Sequence, residues 1–275
     1  MSLPPPLRLA TAPDVATPDL KARLAMLVTK AQAALRDQDA ATAAHKARVS
    51  LKKARALARL TKAATPTWAG TFNRHARAAM AALSATRDAD AMCQAARLCR
   101  AGASRKTRKA LKRAIRSLEN QRDAGAQAGQ AQALLSLDRL HAHLQRMPAL
   151  TEQDLQTGAN AILARATKAA ARARGASDVE RRHDWRKREK TRQTAALELG
   201  ESWPGKFRLA ASAALSQTLG AERDLILLEE ALGADPGVAG GPRAARRALR
   251  FIRRTRVVFA ALADAQGKKV HRSET

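Results

Sequence analysis

His45-Lys46-Ala47-Arg48-Val49-Ser50-Leu51-Lys52-Lys53-Ala54-Arg55 returns about half a chain later as His183-Asp184-Trp185-Arg186-Lys187-Arg188-Glu189-Lys190, the same basic pattern at a fixed offset (183 − 45 = 138). At 3.6 residues per turn, His45, Arg48, Lys52, Arg55 and Arg59 fall inside an arc of roughly 80° on a helix wheel, so five ionisable groups share one stripe. Like charges three or four residues apart cost a helix about 0.2–0.5 kcal/mol per pair. Arg48/Lys52, Lys52/Arg55 and Arg55/Arg59 together oppose folding by roughly 1 kcal/mol. Something anionic is expected to face them.

Three further landmarks recur. Trp68-Ala69-Gly70-Thr71-Phe72 returns as Trp203-Pro204-Gly205-Lys206-Phe207 (203 − 68 = 135), and Leu83-Ser84-Ala85-Thr86-Arg87-Asp88 as Leu219-Gly220-Ala221-Glu222-Arg223-Asp224 (223 − 87 = 136). Arg105, Lys109, Lys112 and Arg116 return as Arg243, Arg247, Arg250 and Arg254 (243 − 105 = 138). The chain reads as an all-α protein of two pseudosymmetric four-helix bundles from an internal duplication, 18–123 and 151–267. Residues 1–17 are expected as a flexible N-terminal segment and 124–150, which have no counterpart, as a connecting helix.

Helical periodicity between Gly and Pro breaks gives the individual elements. Helices are predicted over 18–37 with Thr17 as N-cap, 39–64, 68–100, 104–122 and 127–146. The second set covers 151–174, 177–199 with Ser177 as N-cap, 204–232, and 242–266 with Gly267 beyond the end.

With 51 Lys+Arg against 24 Asp+Glu in 275 residues, the formal charge is +27 and the pI about 11.5, far beyond what solubility requires. Hydrophobic residues still make up 45% of the chain, enough for a folded core rather than a basic tail. Aromatic residues are 3%, with no Tyr, so base-stacking platforms for single-stranded nucleic acid are scarce. Cys93 and Cys99 fit neither a zinc cage nor a CxxC motif and read as small core residues. The start of the chain lacks an apolar signal-type run and no later run is long enough to span a bilayer, so a soluble cytoplasmic protein with no membrane contact is expected.

Four basic stripes result, two per half. A charge run is ordinarily a solvated outer face, but repetition at matched positions, with Val49 and Leu51 bordering the first stripe, favours a binding surface on which the stripes converge. A neutral imidazole at the head of a stripe can donate a hydrogen bond to a phosphate oxygen, and protonation becomes favourable once the anion is bound, so binding should strengthen as pH falls through the imidazole range. His75, His141, His143 and His271 have no such setting, and His141 and His143 point to different sides of a helix. Arg87-Asp88 and Arg223-Asp224 read as salt bridges or loop ties, because adjacent residues diverge by about 100° and no nucleophile is in register. Trp68/Phe72 and Trp203/Phe207 sit one turn apart and read as packing at the base of each bundle. With no phosphate loop, no HExxH and no clustered acidic set, neither enzymatic activity, metal nor cofactor is expected.

The ordered set of HxxRVxxKKxR at His45–Arg55, HxxRKxxK at His183–Lys190 and the LxxxRD turns at Leu83–Asp88 and Leu219–Asp224 resembles the CHAD domain (conserved histidine α-helical domain) from about Pro18 to Gln266. The resemblance implies paired four-helix bundles whose basic inner surface binds inorganic polyphosphate, often taking the protein to polyphosphate granules. It also implies that His45, Arg48, Lys52, Arg55, His183, Arg186 and Lys190 contact phosphate. The second half departs from the pattern: Gln193 stands at the position of Arg55, Thr194 where Tyr is usual, and Leu197 at the position of Arg59. No ExExK signature of a fused triphosphate tunnel domain is present. The expected site is therefore those seven residues with Arg59, Arg105, Lys109, Lys112, Arg116, Arg243, Arg247, Arg250 and Arg254, strongest on the His45 side. Inorganic polyphosphate is the expected partner, and the alternative is the phosphate backbone of nucleic acid, bound as a nucleoid or RNA-associated protein binds it. The high Ala and Arg usage suits a GC-rich bacterial genome.

Overall fold

The computed structural model describes residues 19–37, 40–125 and 129–271. The expected N-terminal segment 1–17, Thr17 as a cap and the start of the connecting helix at Gln127 lie outside the described residues. Within them the protein is all-α, with ten α-helices: α1 (Leu20–Asp37), α2 (Ala40–Leu57), α3 (Pro66–Ala82), α4 (Ser84–Gly102), α5 (Arg105–Gly125), α6 (Gln130–Gln145), α7 (Glu152–Ala173), α8 (Val179–Leu199), α9 (Leu209–Ala234) and α10 (Pro242–His271). None of these helices is long and apolar enough to cross a membrane.

The helix starts follow local chemistry. Thr151 and Asp154 form a reciprocal capping box at α7: Asp154 N–H donates to Thr151 Oγ1 (3.2 Å) and Thr151 N–H to Asp154 Oδ2 (2.9 Å). Asp178, not Ser177, caps α8, accepting from the Glu180 and Arg181 amides at 2.8 and 3.1 Å. A carboxylate at this position also complements the helix dipole.

Four boundaries differ from the sequence expectation. The helix expected over 68–100 breaks at Leu83, whose backbone (φ −99°, ψ 19°) ends α3 and starts α4 while its side chain is buried. No Gly or Pro marks the break; it lets α3 and α4 bury their faces in different cores. α2 ends at Leu57 and the chain continues in turns to Thr65, where Leu60 lies against α7. The helix expected from Pro204 begins only at Leu209, because Gly205 (φ 82°) takes a left-handed conformation that a helix excludes. Gly267 does not end α10, which runs on to His271; it sits inside the helix, pressed on the Trp185 ring.

The hydrophobic cores follow spatial neighbours rather than the two halves of the sequence. One core unites α1, α2, α3 and α6 around Leu24, Leu51, Phe72 and Leu140, and draws in Leu155 and Ile162 of α7, Leu199 of α8 and Trp203. α6, expected as a connector, thus also closes a core. Trp203, expected at the base of its own bundle, joins the core that holds Trp68 and Phe72. A second core is shared by α4, α5, α9 and α10 through Leu111, Leu118, Leu225, Leu228 and Ile252. Cys93 and Cys99 are buried in it, and burial pushes the Cys99 thiol up to about 11. A third, smaller core holds Trp185, Leu215, Leu219 and Val270. At the centre α2 packs against α8 and α4 against α9, so the helices that carry the His45 and Leu83–Asp88 landmarks touch their counterparts in the second half.

A basic crevice between the two motif helices

The packing of α2 on α8 brings residues from opposite halves of the chain to one crevice of about 180 Å³. His45, Arg48 and Lys52 enter from α2, Arg186 from α8, Asp90 and Gln94 from α4, and Asp224 from α9. α2 presents this row because Ala47, Leu51 and Ala54 are fully buried on its other side. Lys52 is exposed, whereas Arg48 is only 9% exposed and its Nη1 donates to the Met80 carbonyl, which anchors the guanidinium across to α3. Gly220 of α9 faces Arg186: a Cβ there would stand 3.9 Å from the guanidinium. Beside the crevice, Lys30 of α1 with His45 and Lys46 of α2 lines an open groove of about 500 Å³.

The remaining motif residues stand around this centre. Arg55 is half-buried; its Nε donates to Asn73 Oδ1 (2.8 Å) and its Nη1 to Met80 Sδ (3.5 Å). Burial, then repulsion from Arg59, Arg77 and Arg48, lowers its pKa to about 10. Arg59 lies beyond the end of α2 and reaches across to α8, donating to Thr191 Oγ1 at 2.5 Å. Burial and the neighbouring Arg188 and Arg165 lower its pKa, opposed by Asp184. His183 is half-buried one turn before Arg186 and is not part of the crevice lining. Lys190 reaches solvent, yet burial and Arg186 lower its pKa against the pull of Glu189, and it donates to Gln193 Oε1 at 3.4 Å. Gln193 thus stands where the first half carries Arg55, and Leu197 is 55% exposed.

The stripes on α5 and α10 are placed elsewhere. Arg105, Lys109, Lys112 and Arg116 of α5 and Arg243, Arg250 and Arg254 of α10 are exposed, and Arg247 is half-buried. α5 packs on α4, and α10 on α9 and α5, while the C-terminal end of α10, beyond its basic stripe, reaches α8 at Arg182 and Trp185. The expected convergence is therefore partial: of the α8 stripe only Arg186 reaches the crevice that the α2 residues line, and none of the α5 and α10 stripe residues lines it.

A search of curated proteins found no match. A family model described as CHAD domain matches residues 19–233. The chain belongs to the CHAD domain family. A crystal structure of the CHAD domain from the plant Ricinus communis is similar over 93% of this chain and 90% of that one, with a TM-score of 0.67 and 18% sequence identity. That likeness concerns the fold. Both HxxR segments that carried the CHAD resemblance lie on α2 and α8, whose packing builds the crevice.

Sequence reasoning missed three features of this CHAD domain. Asp90 and Asp224 bring carboxylates into the crevice; Asp224 belongs to the Arg223-Asp224 pair, but nothing in the sequence marks Asp90. The side chain of Arg87 lies outside the described residues, and Arg223 lies 3.8 Å from Glu230. Next to the crevice-forming row, α8 carries a fully buried ion pair: Arg192 donates through Nε to Glu189 Oε2 (3.1 Å) and through Nη2 to Glu189 Oε1 (2.6 Å), and Ser212 Oγ donates to the same carboxylate (2.9 Å). Arg182, also buried, ties α8 to Glu222 of α9 and to Asp264 of α10 (2.8 Å). A signal for this pair exists in the sequence: Glu189 and Arg192 occupy the positions of Leu51 and Ala54 (189 − 51 = 138; 192 − 54 = 138), which the first half buries as apolar.

Proposed function

We propose that this CHAD domain binds inorganic polyphosphate in the crevice between α2 and α8, without catalysing a reaction on it, and so associates with polyphosphate granules in the cytoplasm. The observation that carries the reading is the meeting of His45, Arg48 and Lys52 with Arg186 in one narrow space, where the cations outnumber the carboxylates of Asp90 and Asp224. A linear chain with about one negative charge per phosphate matches a row of cations, and release of its counterions supplies much of the binding free energy. Guanidinium groups add forked, charge-assisted hydrogen bonds to phosphate oxygens. The lowered pKa values of Arg55, Arg59 and Lys190 fit this reading, since cations held together in partly desolvated positions are relieved by an anion. A crevice of about 180 Å³ is too small to enclose a base-paired duplex, which can meet only its mouth.

Competition tests the reading. Labelled long-chain polyphosphate bound to the protein near physiological salt is challenged with duplex DNA, whose non-specific affinity under such conditions is weak, roughly 10⁻⁴–10⁻⁶ M. The expected result is that unlabelled polyphosphate displaces the label at far lower charge concentration than the duplex does. Equal displacement per charge would instead favour the nucleic-acid alternative for this crevice.

A further inference from the structure

The layer formed by α5 and α10 carries cations that the crevice does not use. Arg105, Arg108, Lys109 and Lys112 are exposed on α5, and Arg243, Arg246 and Arg250 on α10. Each helix keeps the opposite side apolar, with Leu111 and Ala114 of α5 and Ala248 and Ile252 of α10 in the shared core. None of these seven cations has a carboxylate partner among the described residues. The nearby acids are engaged otherwise: Glu119 with Arg97 (2.5 Å), Glu229 with Arg253 (2.7 Å), and Asp235 with the Gly237 amide (2.8 Å).

Two close approaches fix how the helices lie. Gly102, just before α5, faces α10, and a Cβ there would stand 3.6 Å from the Phe251 ring. Gly240, just before α10, lies under α5, and a Cβ there would stand 2.5 Å from Arg113 Nη1. The start of each helix therefore meets the middle of the other, so the two run antiparallel. Both approaches pair positions at the same offset (240 − 102 = 138; 251 − 113 = 138), which sets an approximate dyad between the two rows.

We infer that the α5–α10 face is a second polyanion site, separate from the crevice, that takes the sugar-phosphate backbone of a nucleic-acid duplex. Packed helices lie about 8–10 Å apart axis to axis, and the outward-pointing cations of the two rows stand farther apart than that, a spacing nearer the ~12 Å major groove of B-form DNA than the ~6 Å minor groove. From Arg105 to Arg116, and from Arg243 to Arg254, each row extends about 16 Å at 1.5 Å per residue, or roughly five phosphates at ~3.4 Å. A local dyad relates the antiparallel strands of a duplex, so rows related by a dyad meet both strands equivalently, which a single polyphosphate strand cannot exploit. No exposed aromatic side chain stands on the face, so it meets the backbone and leaves bases unread.

The test measures a labelled duplex of arbitrary sequence binding to the full chain over a salt series. One variant removes four charges from the face (Arg105→Gln, Arg108→Gln, Lys112→Gln, Arg246→Gln), and a charge-matched control removes four exposed lysines elsewhere (Lys21→Gln, Lys62→Gln, Lys168→Gln, Lys268→Gln). Circular dichroism confirms that both remain folded. The face variant is expected to lose at least about tenfold in duplex affinity and to lower the salt slope by about one for each phosphate that it no longer neutralises, while keeping its polyphosphate affinity within about threefold. The control should keep both affinities. Duplex binding that falls equally in the two variants, or a face variant that loses polyphosphate and keeps the duplex, overturns this inference and leaves the crevice reading to its own experiment.

Discussion

The pair Glu189–Arg192 places full charges where the first half of the chain has Leu51 and Ala54, and all four side chains are completely buried. A buried ion pair contributes little net stability, but removing one partner leaves an uncompensated charge and costs about 3–5 kcal/mol. Arg192→Ala is accordingly expected to lower unfolding free energy by that amount in urea titration, and the double change Glu189→Leu/Arg192→Met to recover most of it. His271 lies 3.7 Å from Glu189, yet burial, with Arg192 and Arg174 nearby, pushes its pKa down to about 4 despite the carboxylate. Above the ordinary imidazole range His271 is neutral in both folded and unfolded chains and costs nothing. As pH falls from about 6.5 towards 4 the unfolded chain takes up a proton that the folded one refuses, so stability declines through that window and levels off below it. Between pH 7 and 5 the wild type should lose about 2 kcal/mol more than His271→Leu. Parallel declines would show that His271 is not the group responsible.

At the scale of elements, close helix approaches set what the sequence can vary. A Cβ on Gly267 would stand 2.5 Å from the Trp185 ring, so Gly267→Ala should cost about 1–3 kcal/mol despite the better helix propensity of alanine, measured as a fall in thermal or urea stability. A neutral or stabilising result would mean that α10 can lift off α8 freely. Gly267 also explains one limit of reading the sequence. In isolation it looks like a stop signal, and only the ring packed against it reveals why the helix continues. The break at Leu83 is hidden for the converse reason: alanine-rich periodicity runs straight through it, and the interruption comes from two cores competing for the faces of α3 and α4. Helix positions and the α2 and α8 stripes are legible because 3.6-residue periodicity and the 138-residue recurrence are local or nearly exact in sequence. The mixed cores are not, since which helices share a core depends on tertiary packing that no spacing records.

Across the whole molecule, a charge of +27 ensures attraction to any polyanion, so affinity alone distinguishes little. Placement is what separates the accounts: the cationic residues fall into a narrow crevice where α2, α4, α8 and α9 meet and a broad face on α5 and α10. The central claim is that the crevice, rather than net charge, holds polyphosphate. Its most direct test is the affinity of long-chain polyphosphate, at near-physiological salt, for Lys52→Ala/Arg186→Ala beside the charge-matched Lys21→Ala/Lys268→Ala. Hydrogen bonds to charged groups contribute about 1.5–3 kcal/mol each, so the crevice variant should weaken binding by at least about 100-fold and the control by no more than about threefold. Equal losses in the two variants would contradict the account.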